Sequence, residues 1–220
     1  AGISLRTVYD ETGAMPHRSA AGAAAPTVWP GAKILRQKGC CLTMHITVKR
    51  IDSSACADVR LPNEPFPLCG RMLPAYDGQW SYTVTVFPPQ ERSEMVFPDE
   101  VYDFEAMAQD YVFIGAYADD GVCVGLAVYR RSWNRYMYLH DLKVNAAYRR
   151  LGIGRRLLEE GKKIAAAQGY SGIYTIGQDN NLIACLFYIN VGFQIGGLDT
   201  FVYKGTLQEG KRDIIFYLDF

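Results

Sequence analysis

The feature that most constrains this chain is a glycine-containing turn between a strand pattern and a helical pattern. Residues 136–144 alternate as a β-strand does, and the sequence R-R-L-G-I-G at 149–154 precedes a run with helical spacing. Glycines at such a turn let the backbone approach an anion closely, and the unpaired N–H groups at the helix start can donate to that anion. The turn therefore predicts a loop that binds a phosphate or pyrophosphate.

Three better-known phosphate loops do not match this turn. The chain has no G-x-x-x-x-G-K-[ST] sequence, and a dinucleotide loop fails because Leu157 stands where its third glycine would be. A kinase loop would need a hairpin rather than a strand followed by a helix. A short G-x-G is weak evidence alone, so its neighbours decide what it binds.

The surrounding pattern predicts an α/β (α+β) fold with a mixed, mostly antiparallel central sheet flanked by helices. Runs 111–118, 122–129 and 136–144 indicate an antiparallel meander, because the two connections are short enough for hairpins. Helices are expected from Gly152 to Gly169 and over 182–191. The remaining predicted strands are 45–51, 172–176, 193–195, 201–203 and 214–217, and irregular segments with short helices are predicted over 61–98.

Composition narrows the function classes and the organisation of the chain. Lys plus Arg and Asp plus Glu both number 23 in 220 residues, which argues against coating nucleic acid. No apolar run is long enough for a spanning helix, and the six cysteines contain no C-x-x-C pair, so neither a membrane role nor a metal site is expected. Cys56, Cys123 and Cys185 are predicted to be buried free thiols, which favours a cytoplasmic protein. Residues 1–43 are predicted to be a flexible N-terminal extension, and 44–220 the catalytic domain.

Two motifs in order resemble the GNAT superfamily of N-acetyltransferases. A strand with Leu142 and Val144 leads into R-x-x-G-x-G, and N-x-x-A-x-x-F-Y-x-x-x-G-F follows at 181–193. Over roughly residues 110–220 the chain most resembles the streptothricin acetyltransferases, which share its N-N-L-I-A-C-L-F-Y run and its G-G-L-D segment at 196–199. The resemblance implies a GNAT fold and acetyl-CoA as the co-substrate.

The resemblance also assigns cofactor contacts. Backbone groups of Leu142, Lys143 and Val144 would pair with the pantetheine arm. Amides of the loop would hold the pyrophosphate, and side chains of the second motif would line the thioester end. The loop residues are Arg149, Arg150, Leu151, Gly152, Ile153, Gly154 and Arg155, and those of the second motif are Asn181, Ala184, Phe187 and Tyr188.

Two residues are the candidate catalysts. Tyr188 matches the family's tyrosine beside the thioester sulfur and would act as general acid. An amine acceptor must lose a proton before it attacks, and His140 is the best-placed titrating group on the strand that leads into the loop. Counting by twos from Val144 puts His140 on one side with Leu142, Tyr138 and Tyr136. Streptothricin acetyltransferases tend to have Glu-Asp where this chain has His140-Asp141, whereas arylalkylamine N-acetyltransferases place a histidine there.

The acceptor is predicted to be a primary amine of a small cationic molecule, with streptothricin ahead of aminoglycosides. Residues 93–129 hold eight acids and no Lys or Arg, whereas 130–163 hold ten basic residues, so charge is segregated along the chain. Candidate acceptor-binding residues are Tyr136, Tyr138, Asp141, Asp103 and Trp80. Alternatives left open are an acetyltransferase for arylalkylamines, polyamines or protein lysines, and a module that binds CoA without turnover. A monomer and a homodimer are equally compatible with the sequence, and no nucleic-acid partner is expected.

Overall fold

The computed structural model describes residues 45–220 and, in addition, the backbone of residues 5–7. Its strands are β1 Leu5–Thr7, β2 Thr47–Arg50, β3 Phe66–Leu68, β4 Gly70–Tyr76, β5 Trp80–Val86, β6 Ser93–Met95, β7 Tyr111–Tyr117, β8 Cys123–Arg130, β9 Tyr136–Val144, β10 Gly172–Gln178, β11 Gln194–Asp199 and β12 Asp213–Asp219. The α-helices are α1 Phe104–Met107, α2 Ile153–Ala167 and α3 Leu182–Asn190, and 3₁₀ helices lie at Ser53–Arg60, Pro89–Glu91 and Ala146–Tyr148.

A seven-stranded sheet in the order β11-β12-β10-β9-β8-β7-β2 forms the centre of the fold. All its neighbours are antiparallel except β9 and β10, which run parallel and are connected through α2. The predicted mixed, mostly antiparallel sheet flanked by helices is therefore confirmed. In a second sheet, β5 pairs with β4 on one side and with the short strand β1 on the other. Strands β3 and β6 pair separately.

The two faces of the central sheet are covered differently. Helices α2 and α3 pack on one face, where Leu157, Leu158 and Cys185 join Met137, Leu139 and Phe216 in the larger hydrophobic core. The opposite face is covered over β7 and β8 by the 3₁₀ helix Ser53–Arg60 and the segment around α1, which bury a smaller cluster around Phe113 and Tyr102. We call these the helical face and the outer face. No helix in the described part of the chain is long and apolar enough to cross a membrane.

Local sequence signals explain where α2 and α3 begin and end. Helix α2 follows Gly152 and is followed by Gly169, and both glycines have a positive φ, near 79° and 85°, that other residues adopt at a cost. Asn181 caps α3 by accepting a hydrogen bond from the Ala184 N–H at 3.3 Å. The predicted boundaries of both helices, at Gly152, Gly169 and Asn181, are confirmed to within two residues.

Other predictions were wrong. Irregular structure was expected within 61–98. Instead, β4 and β5 form a hairpin of seven residue pairs with Asp77 and Gly78 in its turn. Residues 201–203 form turns instead of a strand, because Asp199 accepts hydrogen bonds from the N–H groups of Phe201 and Val202 and turns the chain. Cys56 is exposed, whereas Cys123 and Cys185 are buried as expected. Apart from residues 5–7, the predicted extension 1–43 lies outside the described residues.

Candidate active site

A gap opens in the central sheet between β9 and β10. The parallel pairing of these strands extends only from Gly172 opposite Tyr136 to Thr175 opposite Leu139. Beyond that point β9 pairs with β8 alone, up to Val144 opposite Gly125. Within the described part of the chain, the backbone edge of residues 142–144 therefore faces the gap without a strand partner, which suits an extended ligand with amide groups such as pantetheine.

The loop at 149–155 presents backbone donors at the same end of β9. Among the described residues, no backbone acceptor binds the N–H groups of residues 150–155, whereas the N–H of Arg156 already bonds to the Gly152 carbonyl. Arg150 and Gly152 both have positive φ angles, of 67° and 79°, and these turn the backbone where α2 begins. Successive free amides at the positive end of a fifteen-residue helix fit a pyrophosphate group.

Side chains around the loop hold it in place. Arg149 donates to the carbonyls of Val144 at 2.9 Å and Pro65 at 2.8 Å, so its guanidinium is already occupied by the protein. Ile153 is buried and anchors the first turn of α2 in the core. A Cβ on Gly154 would contact the Phe187 ring of α3 at 3.3 Å, so a glycine here lets α3 approach closely. Arg150, Leu151 and Arg155 are exposed at the rim. These residues fit acetyl-CoA.

Helix α3 directs Tyr188 toward the gap from the helical face. The Tyr188 side chain is 8% exposed and packs between Phe193 and Phe216. Burial raises the pKa of its hydroxyl well above the usual tyrosine value, and the charge of Asp141 adds to the increase. The hydroxyl therefore stays protonated at neutral pH and can donate. Ala184 and Phe187 are half-buried on the same helix, and Asn181 uses its side-chain oxygen as the cap.

A β-bulge at His140 changes which side chains of β9 point to each face of the sheet. Leu139 pairs with Tyr129 and Asp141 pairs with Val128, so His140 is an extra residue with no partner on β8. Alternation by twos therefore fails here. Before the bulge Tyr136 and Tyr138 lie on the outer face, and after it Asp141 and Lys143 do. The predicted grouping of Leu142 with His140 was wrong, because Leu142 packs into the core of the helical face.

His140 lies at the mouth of the gap among three tyrosine rings. Its ring centroid is 5.5 Å from that of Tyr138, 5.9 Å from Tyr111 and 6.1 Å from Tyr102, all edge to face. The side chain is exposed on its remaining side. Loss of water against these rings lowers the pKa of His140, and the carboxylate of Asp141 opposes this change. A neutral imidazole that is open to solvent can accept a proton near neutral pH.

A charged cluster lies directly beside His140. The Lys143 Nζ atom is 2.6 Å from Glu100 Oε2 and 2.9 Å from Asp141 Oδ2. The Tyr102 hydroxyl donates to Asp141 at 3.4 Å. Burial works against the positive charge of Lys143, but the two carboxylates raise its pKa. Sequence reasoning missed the position of Glu100, because 43 residues separate it from its partner and no local pattern joins them.

The other predicted acceptor-binding residues lie in different places. Tyr138 stacks on Tyr174 with centroids 4.7 Å apart, and both line a groove of about 390 Å³ with Arg130 and Trp133. Burial raises the pKa of the Tyr138 hydroxyl to about 12.

Tyr136, Asp103 and Trp80 have contacts of their own. The hydroxyl of Tyr136 donates to Asp219 at 2.6 Å. Asp103 caps α1 by accepting from the Ala106 N–H at 3.1 Å. Trp80 packs beside Tyr76 at the tip of the β4–β5 hairpin. Of the five predicted residues, Tyr138 and Asp141 therefore lie next to His140.

Comparisons with known proteins agree with this geometry. The model of the acetyltransferase (GNAT) family matches residues 75–193. Streptothricin acetyltransferase A of Bacillus subtilis (strain 168) is 31% identical over 164 residues, which cover 74% of this chain and 94% of that protein. Streptothricin acetyltransferase of Streptomyces lavendulae is 31% identical over 130 residues, 59% of this chain and 66% of that protein.

Solved structures share the fold. A Bacillus anthracis str. Ames protein assigned as a streptothricin acetyltransferase, solved in complex with acetyl coenzyme A, superimposes with a TM-score of 0.69 at 29% identity. The superposition covers 80% of this chain and 99% of that one. Nourseothricin acetyltransferase, at 23% identity and a TM-score of 0.66 over 79% of this chain and 98% of that one, has the same fold. The chain belongs to the acetyltransferase (GNAT) family and is an N-acetyltransferase that uses acetyl-CoA.

Proposed function

We propose that this enzyme acetylates a primary amine of streptothricin or of a closely similar polycationic antibiotic, and so gives resistance to it. The observation that supports the proposal is the gap beyond Leu139 and Thr175, where the pairing of β9 with β10 ends. The proposed proton acceptor, His140, lies beside it on the outer face, and the proposed proton donor, Tyr188, packs on the helical face. The similarity to proteins named streptothricin acetyltransferases supports the substrate class.

The cofactor side of the proposal uses the free backbone groups. The edge of residues 142–144 would pair with the pantetheine amides, and the N–H groups of 150–155 would bind the pyrophosphate. Asn181 keeps its side-chain nitrogen available after its oxygen has capped α3, so it can donate to the pantetheine arm. Bound acetyl-CoA supplies the acetyl group as a thioester, which the free amine attacks.

His140 would be the general base. An acceptor amine enters as an ammonium ion and must lose one proton before its lone pair can attack a carbonyl. The bulge points the imidazole outward, where solvent and the acceptor arrive, and the three tyrosine rings limit its motion. His140 would take the proton directly or through one water molecule, and the adjacent carboxylate of Asp141 stabilises the imidazolium that forms.

Tyr188 would be the general acid on the opposite face. Its hydroxyl remains protonated because it is buried, and it would donate a proton to the sulfur that leaves when the acetyl group moves to the amine. The acceptor nitrogen loses two protons in all. His140 would take the first before the attack and pass it to solvent, and the second, lost as the amide forms, would balance the proton that Tyr188 gives to the sulfur.

A thiol-release screen tests the function. Purified enzyme with acetyl-CoA is mixed in turn with streptothricin, aminoglycosides, polyamines and arylalkylamines, and free CoA thiol is measured. We expect the largest kcat/KM with streptothricin and acetylation of one of its amines by mass spectrometry. Release of thiol with another amine class and none with streptothricin would overturn the proposed substrate.

A second candidate is an arylalkylamine acceptor. The groove formed by Tyr138, Tyr174 and Trp133 adjoins His140 and offers aromatic faces for a flat ring. Arg130 and Arg131 also line this groove and would repel a polycation there. The same screen separates the candidates, because an arylalkylamine enzyme would prefer tyramine or tryptamine over streptothricin.

A further inference from the structure

The Glu100–Lys143–Asp141 cluster holds an odd number of charges beside the proposed base. Glu100 and Asp141 each carry one negative charge and Lys143 one positive charge, so the cluster has a net charge of −1. Their side chains are 31%, 14% and 11% exposed, respectively, so water screens them only partly. Lys143 cannot neutralise both carboxylates at once.

Several contacts fix the cluster in place. Glu100 Oε2 also accepts a hydrogen bond from the Asn63 side chain at 3.0 Å, which joins the segment after the 3₁₀ helix to the segment before α1. The Tyr102 hydroxyl donates to Asp141 Oδ2, the same oxygen that Lys143 contacts, and the Lys143 ammonium lies 6.0 Å from the centre of the Tyr102 ring. The cluster is therefore a built arrangement of three chain segments.

We propose that Glu100 is a specificity-determining residue: by sharing Lys143 with Asp141, it keeps a net negative charge at the acceptor side of the gap, which selects cationic amines. Without Glu100, Lys143 would pair with Asp141 alone and the site beside His140 would become neutral. The inference rests on the proposed function, because it takes the acceptor to be a cation that approaches His140 from the outer face.

The charged and titratable groups that face His140 come from every element around it. Glu100 and Tyr102 belong to the segment before α1, Tyr111 to β7 and Arg130 to β8. Tyr138, Asp141 and Lys143 belong to β9. Of the charged groups, Glu100 and Asp141 favour the protonated imidazole, and Arg130 and Lys143 disfavour it. A change in the charge of the cluster therefore moves two readouts together, the acceptor KM and the acid limb of the pH–rate profile.

Three variants form a charge series. Glu100→Gln makes the cluster neutral, Lys143→Met makes it −2, and the double variant restores −1 with nearly the same side-chain volumes. For a polycationic acceptor we expect Glu100→Gln to raise KM about fivefold and to move the acid limb down by roughly half a pH unit. Lys143→Met should change both in the opposite direction, and the double variant should return to within about twofold of the native enzyme.

Controls separate this effect from general damage. Glu159→Gln removes a carboxylate from the exposed pair with Lys162 on α2 and should leave the acceptor KM unchanged. The acetyl-CoA KM and the melting temperature should stay close to native values in Glu100→Gln. If Lys143→Met does not fold, the salt dependence of Glu100→Gln still tests the proposal, because its defect should shrink as ionic strength rises.

The outcomes are distinct from failure of the proposed function. The series is measured on whichever amine releases thiol fastest, so a preference for another cationic substrate leaves it intact. If the acid limb survives in His140→Gln, the base assignment fails but the KM order of the three charge states still stands as the test. The proposal is overturned if both single variants raise the acceptor KM. It is also overturned if the KM of the double variant does not return toward the native value.

Discussion

The proposed cofactor side and the proposed acceptor side of this enzyme are built in different ways. The cofactor side uses two continuous stretches, 142–155 and 181–188, whose glycines, cap and helix starts are local features. The acceptor side joins the bulge at His140 to Glu100 and Tyr102, which lie about 40 residues earlier in the chain. Local motifs therefore predict the cofactor side, whereas the acceptor side depends on packing between distant parts of the chain.

Removal of the Tyr188 hydroxyl, in the second sequence motif, should have the strongest effect on activity. Tyr188→Phe should lower kcat about 300-fold and leave the acetyl-CoA KM within about threefold, because only the proton donor is removed. Steady-state kinetics with thiol detection measure both. Tyr129→Phe is the control, since its buried hydroxyl lies against α2 and donates to the Leu157 carbonyl at 3.4 Å. Unchanged turnover in Tyr188→Phe would remove it from the mechanism.

His140→Gln tests the proposed general base on the acceptor side. We expect a loss of about 100-fold in kcat/KM at pH 7. The base works when neutral and its pKa is lowered, so the native enzyme should stay active into mildly acidic pH and lose activity as pH falls through that pKa. In the variant this limb should vanish.

The matched histidine variant is His45→Gln, which lies at the edge of the described sheet. Its pH profile should match that of the native enzyme. A His140→Gln enzyme with full activity and an unchanged acid limb would assign the base elsewhere.

A stability experiment tests the packing of α2 on the central sheet, which supports both sides of the site. Gly161 of α2 lies against the Tyr129 ring, and a Cβ there would overlap it. Gly161→Ala should lower the free energy of unfolding by about 1–3 kcal/mol, because the buried ring has no room to move. Chemical denaturation measures this change, with Glu159→Gln on the exposed side of α2 as the control. An increase in stability would show that the helix-propensity gain of alanine outweighs the overlap.

The smallest effect concerns the phosphate loop. Gly152→Ala places a side chain at φ 79° and should cost about 1 kcal/mol of stability. It should also raise the acetyl-CoA KM about fivefold, because the loop amides move. Gly121→Ala is a matched control, since Gly121 has φ 80° in a hairpin with open space around it. It should lose similar stability and keep its acetyl-CoA KM; equal KM values in the two variants would argue against the loop as the cofactor site.

How far sequence reasoning could go follows from the same contrast. The limits of α2 and α3 were predictable because Gly152, Gly169 and Asn181 are local signals of helix ends. The bulge at His140 was not, because alternation looks continuous until the partner strand shows two residues opposite one. The β4–β5 hairpin did carry a signal: Asp77-Gly78 between two apolar runs is a strong turn sequence. Aromatic content masked the alternation on either side of it.

The charge pattern was predictable only in part. The acid-rich run fits a cationic acceptor by its charge, yet some of its members hold other parts of the chain: Asp103 caps α1, and Asp119 accepts a hydrogen bond from the His45 N–H. Of these three, Glu100 pairs with Lys143 beside His140. The sign of a segment's net charge can be counted from the sequence. Which carboxylate lies near the ligand depends on where its side chain points in the folded protein.

Because of the bulge on β9, we expect the central sheet to tolerate the loss of one residue at this point. Deleting one residue from a strand normally turns every later side chain to the wrong face. Here His140 is itself the additional residue, so its deletion would join Leu139 to Asp141 while each keeps its present partner, Tyr129 or Val128. Insertion or loss of this single codon is therefore a route by which the sheet could acquire or lose its proposed base while the register of β9 on β8 stays the same.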